Sequence, residues 1–577
     1  LGLVNRGFDT VVAPSMGESL TETNCESCGL CISTCPTGAI TENFFFKPGP
    51  LKEEKAEVIC NYCSVGCTIN INHHNEFIMK VTGAEGQVNT DTNICQMAKF
   101  GYRYMNDVTR ITTPQLKQED GSFKEISFDE AYDIIHKRIT SVDADENLFM
   151  AGARLTNEEI YLVQKLARAA AKTNNVGSFS YFNRGDFYAQ SANNNVPFEQ
   201  IQEASKVYLI GNDIYEKHPV VGYMIQNAYQ AKKIKVAVLN PKGSERLSHK
   251  FDSFGEVENF YYFFKAANHY LLSNGLENAM FLEGRVDGFE AYKAAVLAED
   301  YKMLVEKSGL CCVERVESFV KEYLHEMNSI LVYSEELLTA EAAREVYNLS
   351  LISGKLGKTA SGIISLKEKN NSQGIFDMGA QPNLATGGLA IGSQEAQDKM
   401  KAVWDIDAPV AVSEIKDLIR GGKVKNAFIF GEDPVGTTFN DINEGTCMDK
   451  MGFTVVQDYF MTETAKRANL ILPASMPVET GGSYTNTQKY IQEFGASFKP
   501  KVEKTNQLID LLAKFGFNGL SDLSDVSAEM IKFLPQPKEE TNYQLVFTSE
   551  EGNASPFAFG SDTLMKRFDK EFTESFE

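Results

Sequence analysis

The chain has 577 residues, 43% of them hydrophobic and 23% charged, with a formal net charge of −22. That length exceeds a single compact core and predicts two to four domains. The acidic balance argues against a nucleic-acid partner, whose phosphates need basic patches, and no apolar run reaches the roughly 18 residues of a membrane span. No secretory leader is read, so a cytoplasmic location is expected. The chain opens at Leu1 on what reads as interior sequence, and either continuation upstream or a partner that supplies the missing part is expected.

Eight of the 11 cysteines fall in the first sixth of the chain. Cys25, Cys28, Cys31 and Cys35, followed by Pro36, reproduce the C-x2-C-x2-C-x3-C-P run of bacterial ferredoxins. Two-residue spacers let one loop present three thiolates to three corners of a cubane, and the fourth cysteine of such a run serves a second cluster. No sister run lies downstream, so the missing ligands are expected upstream of Leu1. Cys60, Cys63, Cys67 and Cys95 form a second set whose four soft thiolates suit a complete [4Fe–4S] cluster, with a four-cysteine zinc site as the rival. His73-His74 reads as a solvent-exposed loop doublet. Cys311, Cys312 and Cys447 lack ligand spacing and read as buried, inert thiols.

Beyond residue 105 the pattern alternates between strand and helix. Ser127-x-x-Glu130 and Thr156-x-x-Glu159 have the form of capping boxes opening amphipathic helices. The stripe Ile160, Leu162, Val163, Leu166 and Ala167 reads as core. Short apolar runs at 206–210, 235–239, 329–333, 426–430, 453–456 and 469–472 have the character of buried parallel strands. The expected fold is therefore α/β, with doubly wound sheets behind the N-terminal iron–sulfur segments. Three polar loops follow such strands: Gly211-Asn212-Asp213, Asn240-Pro241-Lys242-Gly243 and Gly431-Glu432-Asp433-Pro434. Ligand crevices in open α/β sheets lie beyond the strands' carboxyl ends. Gly211, Asn212, Asn240, Pro241, Gly431, Glu432 and Asp433 are therefore candidate cofactor contacts. No P-loop and no GxGxxG occurs. Residues 534–556 read as a loose linker.

The sequence resembles the molybdopterin oxidoreductases, in particular the large subunit of NAD-linked formate dehydrogenases and the large iron–sulfur subunit of respiratory complex I. The likeness is carried by Asn5-Arg6-Gly7-Phe8-Asp9 through Pro36-Thr37-Gly38-Ala39 and by the Cys60–Cys95 motif. It continues through Thr156 to Val176, His218-Pro219 after Gly211-Asn212, and Asn370-Asn371-Ser372-Gln373-Gly374 with Asp377-Met378-Gly379. Gln457-Asp458, Thr462-Glu463-Thr464-Ala465 and Leu472-Pro473-Ala474 complete it. The resemblance implies a ferredoxin-like segment at 1–50, a [4Fe–4S] domain at 51–110, an α/β domain at 111–178 plus 351–515, an inserted α/β domain at 179–350, and a linker and tail at 516–577.

It also marks departures. The family's lysine between cluster and pterin falls at Met97, its molybdenum or tungsten ligand at Asn183, its proton-handling histidine at Arg184, and its formate-binding arginine at Lys367. Asn is a poor replacement for a soft anionic thiolate, and a guanidinium does not accept a proton. A further C-terminal domain that closes over the second pterin has no counterpart before Glu577. The resemblance thus implies an electron-relay subunit in which Cys60/Cys63/Cys67/Cys95 hold one cluster. Cys25/Cys28/Cys31 and Cys35 would serve one or two more, and molybdopterin guanine dinucleotide is not expected. The implied partners are a flavin-containing NADH-dehydrogenase-like subunit, a small [2Fe–2S] subunit and a hydrogenase, formate dehydrogenase or ferredoxin module, in an assembly that could bifurcate electrons. A divergent molybdenum or tungsten formate dehydrogenase, or a docking scaffold, are the alternatives.

Overall fold

The computed structural model describes residues 1–14, 17–20, 23, 25–42, 52–181, 187–188, 192–244, 247, 250–436, 446–534, 543–549 and 567. Two units emerge: one contains Leu1–Tyr62, Cys67–Val108 and a C-terminal piece with Arg567, the other Cys63–Gly66 and Thr109–Thr563.

In the first unit, strands Glu54–Ile59, Thr68–His74 and Phe77–Gly83 form an antiparallel sheet. Val58, Ile69, Ile71, Ile78 and Val81 supply its buried face. Asn89 fastens one edge: Thr68 N donates to its Oδ1 at 2.8 Å, and its Nδ2 donates to the carbonyls of Thr68 and Ala84. His73 and His74 end the middle strand rather than a loop. His73 is buried, with Nδ1 2.7 Å from the carbonyl of Asn75, because the hairpin pairs it with Glu54. The N-terminal segment adds a two-stranded antiparallel ribbon, Gly2–Val4 with Val11–Ala13.

The second unit is built on two sheets. One has seven strands in the order Phe123–Glu125, Gln115–Lys117, Leu470–Pro473, Phe453–Asp458, Asn426–Phe430, Asn147–Ala151 and Val176–Gly177. Its first three strands pair antiparallel and the rest are parallel. The other sheet is wholly parallel, in the order Asp252–Val257, Lys235–Pro241, Lys206–Ile210, Ser329–Ser334 and Gly362–Leu366. All six apolar runs named above fall on these strands, with Asn469 just ahead of Leu470–Pro473. Four of those strands are buried along their entire length, as double-sided helix cover demands.

Thr156 opens helix Asn157–Lys165 with a complete capping box, whereas Ser127 caps Phe128–Thr140 through the amide of Glu130. The stripe from Ile160 to Ala167 is core. Two expectations need correcting. Cys311 is exposed and Cys312 half-buried, because they precede helix Val313–His325 on a surface turn. Within 534–556, Tyr543–Gln544 pair with Val286–Asp287, and Leu545 is buried. The apolar Leu545-Val546-Phe547 run docks where charge had suggested a linker. No described helix is long and apolar enough to cross a membrane.

Candidate functional site

In the ferredoxin run, Gly29 takes a left-handed φ of 70° and turns the chain into helix Leu30–Thr34, which carries Cys31 and ends at Cys35. The sulfur of Cys35 receives backbone N–H groups from Ile40, Thr37 and Ala39 and lies 3.6 Å from Thr37 Oγ1. These donors hold its thiol down to about 7. A sulfur solvated this way is prepared to be a thiolate ligand. Lys99 donates to Ser33 Oγ at 3.0 Å, placing a buried ammonium near Cys28 and Cys31.

Cys60 and Cys67 close the Glu54–Ile59/Thr68–His74 hairpin through Cys60 N to the Cys67 carbonyl at 2.9 Å. Cys60, Cys67 and Cys95 are buried, and Cys95 begins helix Gln96–Phe100, which contains Met97. The donor chemistry is that of an iron–sulfur ligand set. Among the described residues no three His, Cys, Asp or Glu side chains are gathered closely enough to hold a metal ion.

Segment Cys63–Gly66 belongs to the second unit and is stitched into it. Lys367 N donates to Ser64 Oγ, Thr487 N to the Ser64 carbonyl, Asn486 Nδ2 to the Val65 carbonyl and Gln492 Nε2 to the Gly66 carbonyl. Gly66 sits at φ 76°, where a Cβ would lie 2.1 Å from Gln492 Oε1. No side chain fits there.

Both sheets of this unit reverse strand order at a switch point, the usual place for a ligand crevice. In the parallel sheet it falls between Lys206–Ile210 and Ser329–Ser334. Gly211, Asn212, Asn240 and Pro241 gather at that carboxyl edge, with Gly211 N donating to the Leu239 carbonyl at 2.8 Å and Asn212 Nδ2 to Ser244 Oγ. In the other sheet the switch falls between Asn147–Ala151 and Asn426–Phe430, where Gly431, Glu432 and Asp433 emerge. Asp433 accepts from Gly436 N, Thr464 N and Thr464 Oγ1, so it caps its own loop. Buried Glu432 accepts from Ser178 Oγ at 2.6 Å, Phe179 N at 3.0 Å, and both the amide and hydroxyl of Ser180. Burial pushes its carboxyl up, against nearby Lys369.

The two groups of loops meet through residues that sequence reasoning missed. Lys369 donates to Ser180 Oγ at 2.8 Å, and Tyr181 donates to Glu335 Oε1 at 2.8 Å. Glu335 and Glu336 directly follow strand Ser329–Ser334. The rule that selected Gly211 (first residues past a buried strand) would have selected them too. Asn183 and Arg184 lie outside the described residues.

Lys367 is fully buried. Burial lowers its ammonium to about 8 from an ordinary 10.5, with Glu335 and Asp377 pulling it back up. A lysine that holds its proton less tightly folded than unfolded costs stability below pH 8, and the cost fades between pH 8 and 10.5. The difference is worth about 3 kcal/mol. Through this group stability is expected to rise over that window, and Lys367→Met should flatten the rise in urea unfolding at pH 8 and 10.5. An unchanged slope would remove Lys367 as its source.

Residues 110–508 match the molybdopterin oxidoreductase family. The chain belongs to that family. Residues 54–107 match the molybdopterin oxidoreductase Fe4S4 domain and 20–41 a 4Fe-4S binding domain. Among relatives of this molybdopterin oxidoreductase, a Bacillus subtilis protein provisionally named oxidoreductase YjgC is 26% identical over 89% of this chain and 58% of its own length. A Staphylococcus haemolyticus protein provisionally named a formate dehydrogenase is 27% identical over 83% and 55%. The chain thus spans little more than half of these relatives. Acetylene hydratase from Pelobacter acetylenicus shares the fold, with a TM-score of 0.62 and 15% identity over 83% of this chain and 72% of that one.

The family's pterin dinucleotide is an anion, which calls for N–H donors and positive charge at the switch points. Among the described residues at the parallel sheet's edge are the carboxylates of Asp213, Glu335 and Glu336, with the imidazole of His218 beside Glu336. Burial, followed by Glu336, pushes Asp213 up to about 6. Asp213 Oδ1 is buried without a hydrogen-bond partner. These residues do not suit a pyrophosphate.

Proposed function

We propose that this family member is an iron–sulfur electron-relay subunit of a multi-subunit oxidoreductase linked to NAD(P)H or ferredoxin, on a formate dehydrogenase-like scaffold without a working molybdenum or tungsten site. The observation that carries the reading is the divided fate of the sulfur ligands. All eight N-terminal cysteines stand within matched iron–sulfur regions, while the family's pterin-metal position holds Asn183.

In this reading Cys60, Cys63, Cys67 and Cys95 hold one complete [4Fe–4S] cluster, and Cys25, Cys28, Cys31 and Cys35 serve one or two more. Pterin is absent from the working protein. Electrons enter or leave through a flavin-containing NADH-dehydrogenase-like subunit and a small [2Fe–2S] subunit, in the cytoplasm. A hydrogenase, formate dehydrogenase or ferredoxin module lies at the other end, in an arrangement that permits electron bifurcation.

Elemental analysis of the purified protein for Fe, Mo, W and Zn tests this. The expected result is about four or more irons per chain without Mo or W. Stoichiometric Mo or W would instead favour a divergent formate dehydrogenase catalytic subunit, the reading suggested by the relatives' names. Unchanged electron flow in an assembly whose Cys63→Ser subunit has lost its cluster would favour a docking scaffold.

A further inference from the structure

Among the described residues, Cys311 and Cys312 are the cysteines outside the iron–sulfur runs, and they stand together at the surface. The chain on either side anchors them. Helix Tyr301–Lys307 ends at Ser308, whose carbonyl receives Glu258 N at 2.9 Å. Gly309 then turns left-handed at φ 79°, where a Cβ would lie 2.4 Å from Glu258 Cβ, so no side chain fits. On the other side Cys312 precedes helix Val313–His325, which buries Val316, Phe319, Val320 and Tyr323. The short link between these anchors leaves the two sulfurs 3.7 Å apart.

Cys312 also lines an open groove of about 390 Å³ between that helix and the edge strand Asp252–Val257. Phe254 gives the groove an apolar wall, Arg315 a cation, and Asp252 and Glu314 carboxylates. Its volume is that of a small-molecule site. An ordinary disulfide joins Cα atoms about 4.4–6.8 Å apart, whereas neighbours in sequence keep theirs about 3.8 Å apart. A bond between Cys311 and Cys312 is therefore strained, and strained, exposed disulfides are the readily reduced ones. Such a pair suits reversible exchange rather than a permanent cross-link.

We propose that Cys311 and Cys312 form a dithiol exchange site that takes one half of a small zwitterionic disulfide, of the cystine or glutathione class, into this groove. The sulfur of Cys312 attacks the small disulfide, forming a mixed disulfide on Cys312. The thiolate that leaves takes up the proton Cys312 gave up. Cys311 then attacks the Cys312 sulfur, closing the bond between the two cysteines and releasing the second small thiol. Two protein thiols lose two electrons and two protons, and one disulfide becomes two thiols, so no other oxidant enters. Arg315 receives a carboxylate of the ligand, and Asp252 and Glu314 receive its ammonium. The site lies wholly in the second unit and involves neither cluster nor pterin.

The test incubates the full chain, with clusters in place and air excluded, with oxidised glutathione. After free thiols are alkylated, the tryptic peptide Ser308–Arg315 is weighed, since it carries both cysteines and no other. The expected product is that peptide less two hydrogens. Its ratio to the mixed disulfide should be at least about tenfold higher than in the free peptide, because the fold already holds the sulfurs together. Iron should stay in place, and dithiothreitol should restore both thiols. Cys311→Ser should trap glutathione on Cys312. Arg315→Gln should slow exchange with oxidised glutathione at least about threefold, the scale of an exposed ion pair, and leave exchange with neutral hydroxyethyl disulfide unchanged. If a variant fails to fold, the wild-type comparison with the free peptide decides. A ring no more abundant than in the free peptide, or glutathione found on Cys311 alone, overturns the exchange site. An Arg315→Gln effect that is absent, or equal for both reagents, overturns the zwitterionic ligand.

Discussion

Replacing Cys67 with Ser is expected to remove about four irons per chain and to leave the iron held by the ferredoxin run in place. Cys67 is buried, so its sulfur has no aqueous alternative to the cluster. Its backbone also closes the hairpin by accepting the amide of Cys60 at 2.9 Å. A harder serine oxygen matches iron–sulfur chemistry poorly. With the cluster lost, the sheet around Val58, Ile69 and Val81, which Cys60 and Cys67 close, should loosen. Iron and acid-labile sulfide per chain, measured before and after the change, read the outcome directly. Loss of about one zinc and no iron would identify the four-cysteine zinc site instead. No loss of either metal would show that Cys67 is not a ligand.

The sequence made six strands legible because each carries three or four apolar residues toward a turn, the pattern of a parallel strand covered on both faces. It made the cysteine runs legible because ligand spacing is local. What it hid is relational. Glu432 looked like a cofactor contact, yet in the fold it collects Ser178, Phe179 and Ser180 across more than 250 residues of chain. Asp433 likewise serves Thr464. Both carry charge in Gly-bearing loops, and nothing local distinguishes an outward carboxylate from one consumed by its own scaffold. His218 could be read only as half of a family dipeptide, because its neighbour Glu336 lies 118 residues away. His73 was misjudged for a simpler reason: a polar doublet can end a strand as readily as it can make a loop, and cross-strand pairing with Glu54 decided it.

The same reasoning bears on the departures at Met97 and Lys367. Helix Gln96–Phe100 still carries a buried lysine, but it is Lys99, and its ammonium reaches Ser33 in the ferredoxin run. Lys367 keeps a cation where the family keeps one, yet its backbone amide anchors Ser64, and its charge is offset by Glu335 and Asp377. Positive charge is thus retained at these places while being committed to internal partners.

Arg168→Ala is expected to be the most destabilising single change in the second unit outside the cysteines. Arg168 is 1% exposed and lies in a π-helical turn, Leu166–Ala170, closed by Ala171 N to the Leu166 carbonyl. The wider turn delivers all five N–H donors to acceptors: Asn174 Oδ1, Gln164 Oε1, and the carbonyls of Gly379, Gln381 and Leu384, at 2.8 to 2.9 Å. Three backbone carbonyls of the 379–384 loop therefore depend on one side chain. Truncation leaves these acceptors buried without donors, at about 1–3 kcal/mol each before relaxation. A net loss of at least about 3 kcal/mol is expected from several such acceptors left unpaired together. Arg168→Lys should recover only part, since an ammonium has three donors on a point and cannot span the fork. Lys137→Ala, on the exposed face of helix Phe128–Thr140, should stay within about 0.5 kcal/mol. Urea unfolding of the three variants, with hydrogen exchange at 379–384 as a local probe, measures this. A loss below about 1 kcal/mol for Arg168→Ala would mean that water or a neighbour replaces the guanidinium, and that the loop does not depend on it.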